Sequence, residues 1–472
     1  MRRGLSALGP WKPSAPGRGA PTSALVALTA AAVPAIALLS VRQPRLTAAA
    51  AIGLAALALA VRHFTAAVLL FTMLTFFERA SWVSGSPSAI KLLTVALLFS
   101  WIGLLATRQW GPALFRDHPL LTALAILLAA WAGASLLWAA DETAATSGAW
   151  RLVQMVLLPF LVYTAIRDRR DLRMFAWALI VAGVLTTIAG LLILRAGAES
   201  GGRFGGYLGN PNNLAAVLLP GLALTGLLLQ GSRRGFERRL LAACGLVLLL
   251  SFFLTESRGG LIGLGVMCVV ALAFAGPARA RVVGLVAVLA VVGVTYFTVF
   301  APQAARQRIT SYSSATSTGR SDLWSVARLM FENHPVRGVG IDNFTVLAPA
   351  YLERDLNITR SDLILRPDAT EVHNTYLNVL AELGLVGGLL FVGLLAGVLA
   401  VACRATRALA RAGDRQTELM ARGLVIGASG MLTAYFFFSA QFEKPLWIVL
   451  GALAALSTVA RGSEGRSARR QA

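Results

Sequence analysis

Residues 281–300 read RVVGLVAVLAVVGVTYFTVF, twenty residues whose only charge is the first. About 20 apolar residues of helix are what a hydrocarbon core some 30 Å thick demands. Outward from this run, others of the same kind lie at 23–41, 46–61, 64–78, 88–107, 119–138, 150–166, 172–194, 211–229, 239–255 and 258–275, and again at 374–402, 419–440 and 443–460. The pair 46–61 and 64–78 is short enough to be one hairpin or a misread pair, so the pattern predicts an all-α polytopic membrane protein of about 12–14 transmembrane helices. The composition agrees: 57% of the 472 residues are hydrophobic and 14% charged, with a mean hydropathy of +0.69, whereas soluble domains carry about a quarter charged residues.

The net charge of +21 does not point to nucleic acid, because the basic residues are not clustered as a binding footprint requires. They punctuate the gaps between apolar runs, as the retention of Lys and Arg on the cytoplasmic side produces. Arg167 to Arg170, Arg233 to Arg239, Arg279 with Arg281, and Arg404 to Arg415 fall on alternate gaps. Assigning these to the cytoplasm divides the chain into a basic cytoplasmic N-terminus (1–22), transmembrane helices (23–300), one large external loop (301–372), further transmembrane helices (373–460) and a basic cytoplasmic tail (461–472). Arg2, Arg3, Lys12 and Arg18 before the first run have the outline of a secretory signal, read here as a retained anchor because many spans follow. Cys244, Cys268 and Cys403 have no paired spacing and read as small residues of helix contacts. Neither a fixed-period repeat nor an inverted repeat of the transporter kind is visible.

The loop 301–372 far exceeds the roughly 12–15 residues beyond which unstructured connections are uncommon. Within it, Ser321-Asp322 followed by Leu323, Val326, Ala327 and Met330 predicts a capped helix with one apolar face, ended by Pro335. The plain expectation for it is a helix lying on the membrane surface; the other is contact with a substrate. Polar residues gather beside this loop at the external edge. Arg203 precedes GGYLGNPNNLA (205–215), Arg258 sits in the turn TESRGG (255–260), and His373-Asn374 opens the span after the loop. Charged groups at a bilayer edge line a cavity, pair with one another or snorkel to headgroups. Arg258 has Glu256 as a local partner, but two arginines and a histidine at one depth favour a site.

These pieces, with GRSDLWSVARLMFENHPVRGVGIDNF (319–344) and HNTYLNVLAELGLVGGLL (373–390), resemble the O-antigen ligase and polymerase superfamily, a group that includes bacterial O-linked oligosaccharyltransferases. The resemblance runs from about 200 to 391; before that the chain is similar only as hydrophobic helices. It implies a glycosyltransferase C-type membrane architecture in the bacterial cytoplasmic (inner) membrane, with an external active site that serves polysaccharide or lipopolysaccharide synthesis in the cell envelope. It further implies transfer of a glycan from a polyprenyl-diphosphate (undecaprenyl diphosphate) carrier to a glycan, a lipid-linked acceptor or a protein. Arg203, Arg258 and His373 occupy the family's catalytic places, and Arg320 fits a further basic position.

The chemistry is coherent. Arginine forks bind phosphate oxygens and remain charged, so Arg203, Arg258 and Arg320 are expected on the donor diphosphate. His373 is expected to take the proton of the acceptor hydroxyl, with inversion at the anomeric carbon. Asn210, Asn212, Glu256 and Asn374 are expected supporting residues, and Glu256 is the nearest alternative base. Asn378 and Glu382 share a helix face and are expected to bond one another, and Gly384, Gly387 and Gly388 to let helices approach. No cofactor or metal is expected, because the external segments hold no Asp-x-Asp pair and no His cluster. The competing readings are a flippase or transporter of lipid-linked glycan and a non-catalytic scaffold; polymerase and ligase stay open.

Overall fold

The computed structural model describes residues 44–77, 88–106, 113–195, 203–232, 234–276, 279–301, 303, 306, 320–354 and 371–471. The expected span 23–41 and the N-terminal segment 1–22 lie outside the described residues. The protein is an all-α polytopic membrane protein. Its helices are α1 (Pro44–Arg62), α2 (Phe64–Leu74), α3 (Ala89–Ala106), α4 (Pro119–Ala134), α5 (Glu142–Ala165), α6 (Arg169–Arg195), α7 (Pro211–Gly231), α8 (Gly235–Leu254), α9 (Arg258–Phe274) and α10 (Arg279–Thr295). After the large loop's α11 (Arg320–Asn333) and α12 (Phe344–Arg354) come α13 (Thr375–Arg411), α14 (Arg415–Ala434) and α15 (Lys444–Gln471). Among the described residues nine helices are long and apolar enough to cross a membrane, with three shorter apolar ones beside them. The ambiguous pair at 46–78 is two helices turning at His63. α5 starts eight residues before the expected 150, because Asp141 caps it through Thr143 N and Ala144 N while its first turns are too polar to register as a span.

Two groups of packed helices make the bundle. In one, α14 packs against α7 and α9; in the other, α15 packs against α13 and α5, with Trp447 fully buried between them. Small residues let the backbones close in, as membrane helices require when no water drives them together. A Cβ on Gly263 of α9 would lie 2.5 Å from the Gly430 carbonyl oxygen of α14, and one on Gly427 2.4 Å from Pro220 Cα. At the lipid boundary, α10 leaves Val283, Val288, Val291 and Val294 exposed, an apolar face that acyl chains cover. Cys244, Cys268 and Cys403 are free and half-buried in helices.

The connections sort to two ends. At one, Asn343 Nδ2 donates to Asp141 O (3.1 Å), Phe204 N to Leu254 O (3.3 Å), and Asn213 Nδ2 to Glu443 Oε2 (2.8 Å). At the other, Arg169 and Ser463 meet Asp414, and Arg422 donates to Phe274 O (2.7 Å).

The large loop is built into the first end by a break in α13. Gly384 has φ +64 and ψ −165, so α13 is two helices joined at that residue. The break strands backbone groups that lipid cannot satisfy, and the loop satisfies them. Val339 N donates to Ala381 O (3.0 Å), Gly340 N to Glu382 O (2.9 Å) and Leu385 N to Pro335 O (2.8 Å), while Trp131 Nε1 donates to Leu383 O (2.9 Å). Gly338, at φ +69, faces Gly384 across this crossing, and a Cβ on either would fall 2.3 Å from the other strand's backbone. Two expectations change here. α11 does not rest on the membrane surface: Leu323, Val326, Ala327 and Met330 form a separate core with Phe344, Leu352, Val372 and Ala381. It also begins at Arg320, which puts Ser321 and Asp322 inside its first turn. Nor do Asn378 and Glu382 bond one another; Glu382 Oε1 accepts from Phe344 N at 3.4 Å, so its carboxyl serves the loop.

Gly384→Val is therefore expected to destabilise the protein by about 2–4 kcal/mol, through a left-handed φ and a backbone clash together. Gly393→Ala, where the nearest atom is 3.8 Å from the new Cβ, is expected to be neutral. Thermal unfolding of the two purified variants in detergent checks both.

Candidate functional site

Three helices start at the end that holds the loop, and each start carries a cap. Asn210 Oδ1 accepts from Asn212 N and Asn213 N at the head of α7 (2.9 and 3.2 Å). Ser257 Oγ accepts from Gly260 N at the head of α9 (3.1 Å), and Asn374 Oδ1 from Tyr376 N and Leu377 N at the head of α13 (both 3.1 Å). Asn210 and Asn374 are thus spent on capping. The three helix N-termini direct partial positive charge toward the same edge, which favours anions there.

Arg203 clamps the turn between α8 and α9. Its Nε and Nη2 donate to Thr255 O (3.1 and 2.9 Å), and Nη2 also reaches Glu256 O (3.3 Å) and Asn212 Oδ1 (3.2 Å). Asn212 Oδ1 accepts from Ser257 Oγ as well (2.9 Å). The turn needs this support because Glu256 sits at φ +49, a conformation rare for a residue with a side chain. The next residue but one, Arg258, is the first of α9 and is exposed.

From Arg258 a chain of contacts leads to His373. A Cβ on Gly259 would lie 2.5 Å from Phe437 Cβ, and the Phe437 ring is 6.3 Å from that of Trp324. Trp324 Nε1 donates to Val372 O (2.9 Å), the residue before His373. Arg320, one turn before Trp324 on α11, feels the Arg258 charge and in turn acts on His373. Burial first, then the Arg258 cation, pull the Arg320 guanidinium below the usual arginine value. Arg320 Nε is buried with no hydrogen-bond partner. Neither arginine has a carboxylate partner among the described residues. His373 is held at φ +52, and burial followed by the Arg320 cation push its pKa down to about 4. Its imidazole is therefore neutral at pH 7, with Nδ1 buried and lacking a hydrogen bond; the nearest carboxylate oxygen, Glu371 Oε2, is 3.8 Å away.

The structure thus brings Arg258, Arg320 and His373 together, and sets Arg203, Asn212 and Glu256 behind Arg258 as the frame of its turn. Sequence reasoning missed Glu371, although its place two residues before His373 was open to notice, and the Trp324–Phe437 bridge, which no local pattern announces. It also missed the pair Arg151–Asp342 near Glu371. Among the described residues no three His, Cys, Asp or Glu side chains converge as a metal would require.

Residues 242–392 match the family model described as O-antigen ligase. The interval contains Arg258, Arg320 and His373 and omits 203–215. No curated protein matches the chain. Among solved structures, a chain from "Structural coordination of polymerization and crosslinking by a peptidoglycan synthase complex" is 20% identical, with 73% of this chain and 97% of that one covered and a TM-score of 0.40, a likeness too slight to argue from.

Arg203→Lys keeps the charge but loses the fork. Hydrogen–deuterium exchange of the amides at 255–261 is expected to speed up about tenfold or more, as two or more carbonyl bonds worth about 1 kcal/mol each are lost. Unchanged exchange would show that the turn stands without it.

Proposed function

We propose, from the match of residues 242–392 to the family model described as O-antigen ligase, that this multi-pass membrane protein transfers a glycan from a polyprenyl-diphosphate carrier to an acceptor hydroxyl at the edge where Arg258, Arg320 and His373 meet. The observation that carries the reading is the juxtaposition of two arginines, without carboxylate partners among the described residues, and a neutral imidazole, at an edge faced by three helix N-termini. Uncompensated cations near a membrane want an anion, and a diphosphate supplies one with acceptor oxygens for both forks.

In this reading Arg258 and Arg320 bind the donor diphosphate, and Arg203 is a positioning residue that holds the Arg258 turn. The acceptor oxygen attacks the anomeric carbon while His373 takes its proton. The bond from that carbon to the diphosphate oxygen breaks, and the charge grows on the departing group, where the two guanidinium ions stabilise it. Attack opposite the leaving group inverts the anomeric centre. No metal is needed, since the arginines supply the positive charge. The charge bias of the loops supports an edge outside the cytoplasmic membrane with both termini inside. A flippase is less well supported, because the charged groups gather at one edge and not at mid-span.

Arg258→Ala, Arg320→Ala and His373→Ala are each expected to abolish surface glycan while leaving wild-type amounts of protein in the membrane, with His373→Ala lowering turnover by roughly 10²–10⁴. Normal glycan in all three would overturn the proposal. In a deletion strain, single units still attached would identify a polymerase, and long chains held on the carrier a ligase. In purified protein, protonation removes the His373 base only as pH falls toward its depressed pKa. kcat/KM is therefore expected to stay level from pH 8 to about 5 and to fall below about 4; an acid limb centred near 6.5 would contradict the burial of His373.

A further inference from the structure

α7 begins at the candidate site and ends some 30 Å away at Gly231, and at that far end the helices enclose a second site. The start of α6, the turn from α13 into α14 and the outer part of α15 surround a cavity of about 660 Å³. Arg169, Arg170, Arg173, Arg415 and Arg466 line it against two carboxylates. Both carboxylates are already engaged. Asp168 accepts from Arg170 N and Asp171 N (2.7 and 3.0 Å) at the head of α6. Asp414 accepts from Thr417 N (3.3 Å) and Ser463 Oγ (3.0 Å) and meets Arg169 and Arg466 only at 3.7 and 3.8 Å. Arg415 and Arg173 have Glu418 and Glu237 as partners, while Arg170 has no acid partner among the described residues. Positive charge is left over in this open cleft.

The bias of basic residues toward one side explains why arginines are on this face, but not why they converge on a cavity. A second cavity, of about 220 Å³, adjoins the first and shares Arg169, Arg173 and Gln416 with it; its other walls mix Leu228, Leu419 and Met420 with Ser232, Arg234 and Glu237. A cationic cleft that continues between helices into a cavity with leucine as well as charged walls matches an amphiphile with an anionic head. We propose that this cleft binds a membrane lipid with an anionic phosphate headgroup, its phosphate held by Arg169, Arg170 and Arg173 and its chain entering the adjoining cavity beside Leu228. A soluble phosphate compound would share the head chemistry and leave the adjoining cavity unused.

The test is thermal unfolding of the full chain, purified in detergent and titrated separately with short-chain phosphatidic acid, phosphatidylcholine of the same chains, and inorganic diphosphate. Phosphatidic acid is expected to raise the melting temperature saturably and the other two to raise it far less. Arg170→Gln and Arg466→Gln, both exposed and outside the catalytic edge, are each expected to weaken the phosphatidic acid midpoint by about fivefold, whereas Arg238→Gln on the same face leaves it unchanged. The melting temperature of each variant without lipid shows that it folds. Equal stabilisation by phosphatidylcholine, full stabilisation by inorganic diphosphate alone, or midpoints unmoved in Arg170→Gln and Arg466→Gln would each overturn the proposal.

Discussion

The break in α13 at Gly384 is the constraint on which the large loop and the site beside it depend. A membrane helix interrupted in its first third leaves carbonyls and amides that lipid cannot serve. Pro335 to Gly340 serve them, and the two strands approach so closely that both crossing residues must be glycine. The crossing anchors the loop in the bundle, with Ile341 on Ser135 and Asn343 on Asp141 as further ties. Its own small core of α11 and α12 then sets Val372 against Trp324 and Ala381, which places His373 on the bundle edge next to Arg320. The loop is less a cover over the site than one of its walls.

The electrostatics follow from that placement. Arg258 arrives from the short α8–α9 turn, held by Arg203, and Arg320 from the loop helix. The two cations come from separate segments, and docking of the loop sets the Arg320 charge within reach of both Arg258 and His373. Burial and the Arg320 charge both favour the imidazole's neutral form, so it stands ready to accept a proton, and anion binding at Arg320 would ease one of the two effects.

Much of this was legible in the sequence, because apolar runs report membrane helices directly and loop charge reports which ends lie together. Arg203, Arg258 and His373 stand out in the sequence by their shared depth at span ends. What escaped was whatever depends on a partner far along the chain. The run GLVGGLL (384–390) reads as an ordinary packed helix, and the left-handed φ of Gly384 makes sense only opposite Gly338. Arg203 read as a phosphate ligand because its carbonyl partners at 255 and 256 are set by the fold. Asn210 and Asn374 lie where caps are expected, yet their nearness to the site drew a functional reading. The basic cleft at the other end was read residue by residue as topology bias, since no single stretch shows that those arginines face one cavity.

A diphosphate bound at Arg258 and Arg320 would lie within electrostatic reach of His373. The most direct test of such binding is an NMR titration of the His373 imidazole in the purified protein, with and without inorganic diphosphate. Diphosphate should cancel the Arg320 charge and raise the pKa from about 4 toward the usual 6.5, with the rise abolished in Arg258→Gln/Arg320→Gln. An imidazole that titrates identically with and without saturating diphosphate would contradict the account.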